Sequence, residues 1–239
     1  GTHPALSDRQ IGELVGMDKD ERRERYGSSV KVENHVWSDP DQLELAGTLD
    51  AEKVEKLTGG RMKEGIPITV NKRVTEYDRV YIVGPVFPHE FLGFSGGYKY
   101  LFPGVSGSEI IHMFHWLGFL ITNPKLIGIK DVPTRDVLNE AARFIDTPMA
   151  GFKLVVNGHD TVGLFVGDTE SAWSRAADLS AEVNIVYRDR RFQTVVADMP
   201  EMYDELWTAG KGMYKLEPII ADGGKLIIYS PHLDRISDT

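Results

Sequence analysis

A segment rich in glycine and aromatic residues, at positions 88–107, is the feature that most constrains the fold. It follows a continuous apolar run at residues 79–84, which is typical of a strand buried in a parallel sheet. It precedes an apolar stretch that predicts a helix to about Ile121. A buried strand, a glycine-rich loop and a helix in this order predict an α/β unit with a ligand site at the carboxyl end of the strand.

Strands and helices alternate along the rest of the chain, which predicts an α/β fold with a mostly parallel sheet. Helices are expected at 50–57, 169–181 and 201–215, strands at 29–36, 66–70, 183–187, 194–197 and 225–229, and a hairpin at 152–166. Capping boxes that begin at Ser7 and Ser106 predict two further helix starts. We place a first domain at residues 1–180 and part of a second, Rossmann-like α/β domain at residues 181–239.

The charge balance narrows the class of partner. The chain has 27 Lys and Arg against 36 Asp and Glu, a formal net charge of −9, which argues against nucleic acid or an anionic membrane as the main partner. It has no cysteine, so any metal must be held by His, Lys or carboxylate. Charged residues near the start and the lack of a long apolar run predict a cytoplasmic protein. Because the chain does not begin with Met, we expect it to be a piece of a longer protein.

Gly96 and Gly97, followed by Lys99, favour an anionic ligand. Glycines let backbone N–H groups approach a ligand, while a lysine and a helix N-terminus add positive potential. The spacing matches neither a P-loop nor a dinucleotide-binding fingerprint. A purely structural glycine turn between strand and helix is an equally good interpretation of these residues alone.

Several histidines are candidates for chemistry. His89 lies near the end of the predicted strand, where ligands bind, although a loop histidine often serves only as a hydrogen-bonding residue. His112 and His115 are three residues apart on a predicted helix and could share a metal, but a core role for one of them is the simpler interpretation. His3 lies in a loop before the first helix, and its role is open from the residues alone.

Taken together, these segments resemble the nickel-dependent lactate racemase family. The resemblance rests on GTHP at the start, PHEFLGFSGGYKYLFPGVSG at 88–107 and the helix that carries His115. The family pattern is Gly-Thr-His, then Pro-His-x-x-x-Gly-Phe-Ser-Gly-Gly-x-Lys-x-x-x-Pro-Gly, then a helix histidine. The resemblance covers nearly the whole chain and implies that the N- and C-terminal portions of the family lie outside it.

The resemblance implies a role for each matching residue. Lys99 corresponds to the lysine that carries a nickel pincer nucleotide, a pyridinium-3-thioamide-5-thiocarboxylic acid mononucleotide, and His115 corresponds to the nickel ligand. His3 and His89 correspond to the paired acid/base histidines. The loop residues implied to bind the cofactor beside Lys99 are Ser95, Gly96 and Gly97, and those implied to bind substrate are Trp207, Thr208 and Lys211.

Two departures from the family pattern concern the substrate side and one loop. The family commonly has Tyr-Gln where this chain has Trp207-Thr208, and an insertion at residues 52–62 lengthens a loop. Cofactor anchoring is therefore better supported than the identity of the substrate.

We therefore expect a racemase or epimerase of a 2-hydroxy acid that works by proton-coupled hydride transfer. Its partners would be a small-molecule substrate and cofactor-maturation enzymes, without which the cofactor would be missing. Two alternatives remain open. One is a non-catalytic phosphate- or nucleotide-binding module; the other is a metallohydrolase using His112 and His115, which is weaker because the His-Glu-x-x-His pattern is absent.

Overall fold

The computed structural model describes residues 5–236 and has an α/β architecture. Its helices, named in chain order, are α1 Asp8–Val15, α2 Lys19–Tyr26, α3 Ala51–Leu57, α4 Arg73–Glu76, α5 Ser108–Ile121, α6 Pro133–Ala142, α7 Thr169–Asn184, α8 Leu206–Ala209 and α9 Lys211–Leu216. Its strands are β1 Leu43–Leu49, β2 Ile66–Asn71, β3 Val80–Pro85, β4 Pro88–His89, β5 Gly93–Phe94, β6 Met149–Asn157, β7 Asp160–Gly167, β8 Phe192–Asp198 and β9 Ile220–Tyr229.

The strands form small sheets rather than one large one. β3 pairs in parallel with β6, which pairs antiparallel with β7, and β8 pairs in parallel with β9. The pairs β1–β2 and β4–β5 are antiparallel. The α/β class is therefore confirmed, whereas the expectation of a mostly parallel sheet holds only for the pairs β3–β6 and β8–β9. The parallel strand β3 ends where the glycine-rich segment begins.

Two hydrophobic clusters support that segment from either side. The larger one packs β2 and β3 against α5 and α6 and includes the fully buried side chains of Phe102, Ile110 and Leu117. The smaller one lies under α7, where Trp173 contacts Val86 and Phe94. Burial of several large side chains contributes about 1.5–3 kcal/mol each, so the loop is held on a rigid base.

Helix α5 is the most apolar helix, and it ends at Ile121 as predicted. The predicted capping box at Ser106 is wrong: the N-cap is Gly107, and Glu109 accepts a hydrogen bond from the Thr69 hydroxyl instead. Tertiary contact with β2 thus replaces the local cap. Across residues 5–236, no helix has the length and apolar character needed to cross a membrane.

The other predicted helices and strands differ from the observed ones mainly where tertiary contacts outweigh the local sequence pattern. The capping box at Ser7 and the 152–166 hairpin are confirmed. The strand expected at 29–36 is absent, and residues 183–187 are not a strand because α7 continues to Asn184. The helix expected at 201–215 is replaced by the two short helices α8 and α9.

The division of the chain at residues 180 and 181 stays a prediction. Helix α7 continues through it, and β8 and β9 then form a sheet of their own. Asn123 ties the two regions together, because its side-chain amide donates to the Tyr214 carbonyl at 2.7 Å and to Glu217 at 2.8 Å. These contacts hold α9 and the residue that follows it next to the turn after α5.

Replacing Gly93 by alanine tests how tightly this segment is packed. Gly93 has φ +70°, and a Cβ there would overlap the Ile129 carbonyl oxygen, whereas Gly158 has φ +60° with open space around it. We expect Gly158→Ala to lower the free energy of unfolding by about 1–2 kcal/mol, the cost of a left-handed alanine. Gly93→Ala should lower it by roughly 3 kcal/mol or more, because overpacking adds to that cost. Equal losses in denaturant titrations would contradict the packing around Gly93.

Candidate active site

The site forms where β3 ends. The chain passes from Pro85 into the β4–β5 hairpin, which carries His89, and then into a 3-10 helix at Gly97–Tyr100 that carries Lys99. The Ser95 hydroxyl accepts from the Phe87 N–H at 2.9 Å, so it ties the two sides of the hairpin together. This places the glycine-rich loop past the carboxyl end of a parallel strand, where ligands commonly bind in α/β folds.

The two glycines serve the conformation and packing of this loop. Gly96 and Gly97 have φ +78° and +63°. A Cβ at Gly97 would lie 3.0 Å from the Trp173 ring, and one at Gly96 would lie 2.8 Å from Val86. The missing side chains thus leave room for the protein itself rather than for a ligand. The role of these glycines in cofactor binding stays a prediction that concerns their backbone groups.

A buried arginine fixes the loop from beneath. Arg135 in α6 donates to the carbonyls of Phe94 and Gly96, the second at 3.0 Å, and its guanidinium lies 4.1 Å from the centre of the Trp173 ring. Burial lowers its pKa to about 9, so the group remains charged at neutral pH. Its Nε has no partner among the described residues.

Lys99 is an amine with a lowered pKa. Burial is the main cause, and the positive charges of Lys211 and Arg135 add to it, while the charge of Glu90 opposes it; the pKa falls to about 8. An ordinary lysine titrates near 10.4 and is almost fully charged at pH 7. Because the pKa of Lys99 is about 8, roughly one Lys99 side chain in ten is neutral at this pH. A neutral amine is a nucleophile, which is the property that covalent attachment of a carbonyl group requires.

His89 is held as a neutral imidazole. Its side chain is 13% exposed, and its Nδ1 accepts from the Phe91 N–H at 3.2 Å. Burial, followed by the charge of Lys99, lowers its pKa to about 3 against the opposing charge of Glu90. With Nδ1 an acceptor, the single ring proton of the neutral form lies on Nε2.

Glu90 and Lys211 form a buried ion pair at the same place. Lys211, the first residue of α9, brings its Nζ 2.6 Å from Glu90 Oε1, and the carboxylate is only 11% exposed. Burial raises the pKa of Glu90, but the charges of His89 and Lys211 outweigh it and hold the pKa well below its usual range. At neutral pH His89 is uncharged, so Lys211 is the partner that keeps Glu90 ionised.

His115 reaches the cluster through aromatic contacts. Its ring lies 5.4 Å from Phe91 and 4.6 Å from Phe114, and the Phe114 ring is 6.2 Å from that of His89. His115 Nδ1 lies 2.7 Å from the Ile111 carbonyl and must carry the ring proton. Burial lowers the pKa of His115, and Lys99 contributes to this lowering. Its Nε2 therefore keeps a lone pair, as a metal ligand needs.

The remaining candidates named by the sequence are His3, Trp207, Thr208 and His112. His3 lies outside the described residues. Thr208 donates its hydroxyl to the Glu205 carbonyl at 3.1 Å within its own turn, and Trp207 falls in α8. His112 is exposed on α5, and across residues 5–236 no three His, Asp or Glu residues gather as a metal site would require. The metallohydrolase alternative therefore lacks a ligand set in the part of the chain that the structure describes.

Sequence reasoning missed two residues of the site, Glu90 and Arg135. Glu90 directly follows His89 in the motif, and a carboxylate next to a candidate acid/base histidine was a usable signal. Arg135 lies far along the chain in α6, where nothing in the pattern distinguishes it from a surface arginine.

The charges around Lys99 provide a direct test of this geometry. We expect the pKa of Lys99, about 8 in the unaltered chain, to rise in Lys211→Met and to fall in Glu90→Gln, because the first removes a positive charge and the second a negative one. Lys215→Met, in the same helix, should leave it unchanged. The measurement is an NMR titration of the ¹³C-methylated amines. If the pKa of Lys99 is the same in both site variants as in the unaltered chain, the described cluster of charges is contradicted.

Comparison with known proteins gives this geometry a family context. Residues 17–126 match the lactate racemase N-terminal domain. A curated lactate racemase from Thermoanaerobacterium thermosaccharolyticum is 25% identical over 220 residues, which is 89% of this chain and 48% of that protein. This chain thus spans about half the length of the curated relative.

Solved structures extend the likeness to the fold. The crystal structure of a protein from Thermotoga maritima matches with a TM-score of 0.87 and 34% identity, over 100% of this chain and 59% of that one. The lactate racemase apoprotein from Thermoanaerobacterium thermosaccharolyticum matches with a TM-score of 0.69 and 24% identity, over 89% of this chain and 49% of that one. The resemblance indicated by the motifs is confirmed: this chain is similar to lactate racemases, and its residues 17–126 match the N-terminal domain of that family.

Proposed function

We propose that the complete protein is a racemase or epimerase of a 2-hydroxy acid and that this chain supplies most of its active site. The observation that carries the proposal is the arrival of Lys211, remote in sequence, beside the segment of His89 and Lys99: it lies 2.6 Å from Glu90, and its charge lowers the pKa of both His89 and Lys99. The relationship to a protein named lactate racemase supports the reaction class. We expect the enzyme to act in the cytoplasm, with cofactor-maturation enzymes as partners.

The residues fit a nickel pincer nucleotide attached to Lys99. Lys99 offers an amine with a lowered pKa, and His115 offers one ring nitrogen with a free lone pair. A single protein ligand suits a metal whose other ligands come from a cofactor. When bound, the group supplies an electrophilic centre for the hydride of the carbinol carbon.

The chain's own residues supply charge and proton transfer. Lys211, with its side chain 34% exposed, can compensate the carboxylate of a 2-hydroxy acid. His89, buried beside it, can move the proton of the 2-hydroxyl group, and the low exposure of the His89 and Glu90 side chains limits the access of water to the reacting groups. A second histidine, assigned to His3 by the motif, would serve the opposite enantiomer.

A phosphate- or nucleotide-binding module is the second candidate. Lys99, Arg135 and Lys211 place three cations around His89, with Glu90 as the one carboxylate among these groups, so the site attracts anions whether or not it is catalytic. Such a module needs no uncharged histidine beside the lysine. Covalent loading of Lys99 separates the two candidates.

Intact mass measurement of the complete protein, made with its maturation enzymes, tests the covalent step. Lys99→Ala should abolish the mass increase of the adduct, because no other amine lies at this position of the loop. Lys215→Ala, a lysine of α9 that lies near Tyr203, is the matched control and should keep the adduct. His115→Ala should keep the adduct and lose nickel, measured by elemental analysis. An adduct that survives Lys99→Ala would refute the attachment site.

His89→Ala tests the proton-transfer role. We expect adduct and nickel to remain while turnover falls by about 10²–10⁴-fold, the usual contribution of a positioned acid or base. His159→Ala, in the exposed turn between β6 and β7, is the control and should leave turnover unchanged. Rates are measured in both directions with each enantiomer. An undiminished rate in His89→Ala would assign the proton transfer to another residue.

A further inference from the structure

Glu90 lies between two residues with different proposed roles. Its Oε1 is 2.6 Å from Lys211 Nζ, and its Oε2 is 3.8 Å from His89 Nδ1. One carboxylate therefore faces both the cation proposed to hold the substrate carboxylate and the ring proposed to move the substrate proton. Neither the family motif nor the relatives' names assign it a role.

In this arrangement His89 has the tautomer that cannot accept a proton at Nε2. Nδ1 accepts from the Phe91 N–H at 3.2 Å, so the ring proton lies on Nε2. If Nε2 is the atom that faces substrate, it cannot accept a proton until its own proton has left. A ring whose Nδ1–H donates to a carboxylate has the opposite tautomer, with Nε2 free to act as a base.

We propose that Glu90 is a positioning residue that is shared between Lys211 and His89, and that a carboxylate ligand on Lys211 releases it to the His89 ring. This rests on the proposed function for the role of Lys211. The ring and the carboxylate must approach by only about 1 Å to form a hydrogen bond of ordinary length. The imidazole stays neutral: one proton leaves Nε2 to water and one reaches Nδ1 from water. Substrate binding thereby creates the base that the reaction needs.

The surrounding charges favour this exchange. Around His89 they are Lys99 from the 3-10 helix, Arg135 from α6, Lys211 from α9 and Glu90 itself. Only Glu90 is negative, so it is the sole group among these that stabilises a proton on the ring. A ligand carboxylate that pairs with Lys211 removes the attraction that now holds Glu90 away from Nδ1.

The experiment observes the His89 ring directly in the full apo chain. Long-range ¹H–¹⁵N spectra at pH 7 report which ring nitrogen is protonated, with His89 assigned from a His89→Gln variant. We expect protonation on Nε2 in the unaltered chain and on Nδ1 in Lys211→Met. The double variant Glu90→Gln/Lys211→Met should return to Nε2, because the carboxylate is gone. Lys215→Met should match the unaltered chain.

Adding lactate to the unaltered chain tests the same change without a substitution. Saturating lactate should move the proton to Nδ1, and it should not do so in Glu90→Gln. If lactate binds by calorimetry and the ring stays unchanged, the shared role of Glu90 is overturned while the proposed function stands. If lactate does not bind but Lys211→Met switches the ring, the carboxylate site fails and the coupling through Glu90 survives. A double variant that behaves like Lys211→Met also overturns the proposal.

Discussion

The buried guanidinium of Arg135 is the interaction on which the candidate site depends. It joins α6 to the carbonyls of the loop that carries Lys99 and stacks on Trp173 of α7. Burying this charge is costly, and the two carbonyl acceptors and the ring face are what offset the cost. Two helices and the loop are therefore fixed relative to one another before any ligand binds. Such a preformed loop keeps the ordering cost of a ligand low.

Positive charge dominates the region that this interaction organises. Lys153, buried in β6 and bonded to the Ile82 carbonyl at 3.0 Å, adds a further cation near Arg135, and burial lowers its pKa to about 8. Together with Lys99 and Lys211, these groups concentrate positive potential in a chain whose net charge is −9. The net charge of the chain, taken alone, argues against an anionic ligand. The local arrangement decides the chemistry, because short-range charges in a partly buried site are weakly screened.

Local signals predicted the parts of the structure that depend on neighbouring residues. The capping box at Ser7, the hairpin around Gly158 and the strand before the glycine-rich loop all follow from patterns of a few residues. The motif also placed His89 and Lys99 together. Contacts between distant segments were not predictable: Glu109 bonds to Thr69 rather than capping its helix, and Asn123 donates to Glu217. Arg135 belongs to this second group, since its function exists only through the carbonyls it meets.

The pair of Glu90 and Lys211 shows why residues 17–126 are electrostatically incomplete by themselves. Glu90 lies within residues 17–126, whereas Lys211 lies beyond them in α9. Without Lys211, Glu90 would be a buried carboxylate with no cation at hydrogen-bonding distance in the described structure, and an unpaired buried charge of this kind is strongly destabilising. The charge of Glu90 is therefore compensated best in a chain that folds α9 back onto the loop. The same contact that closes the site also ties the two regions of the chain, so the geometry of the site and the docking of α9 depend on each other.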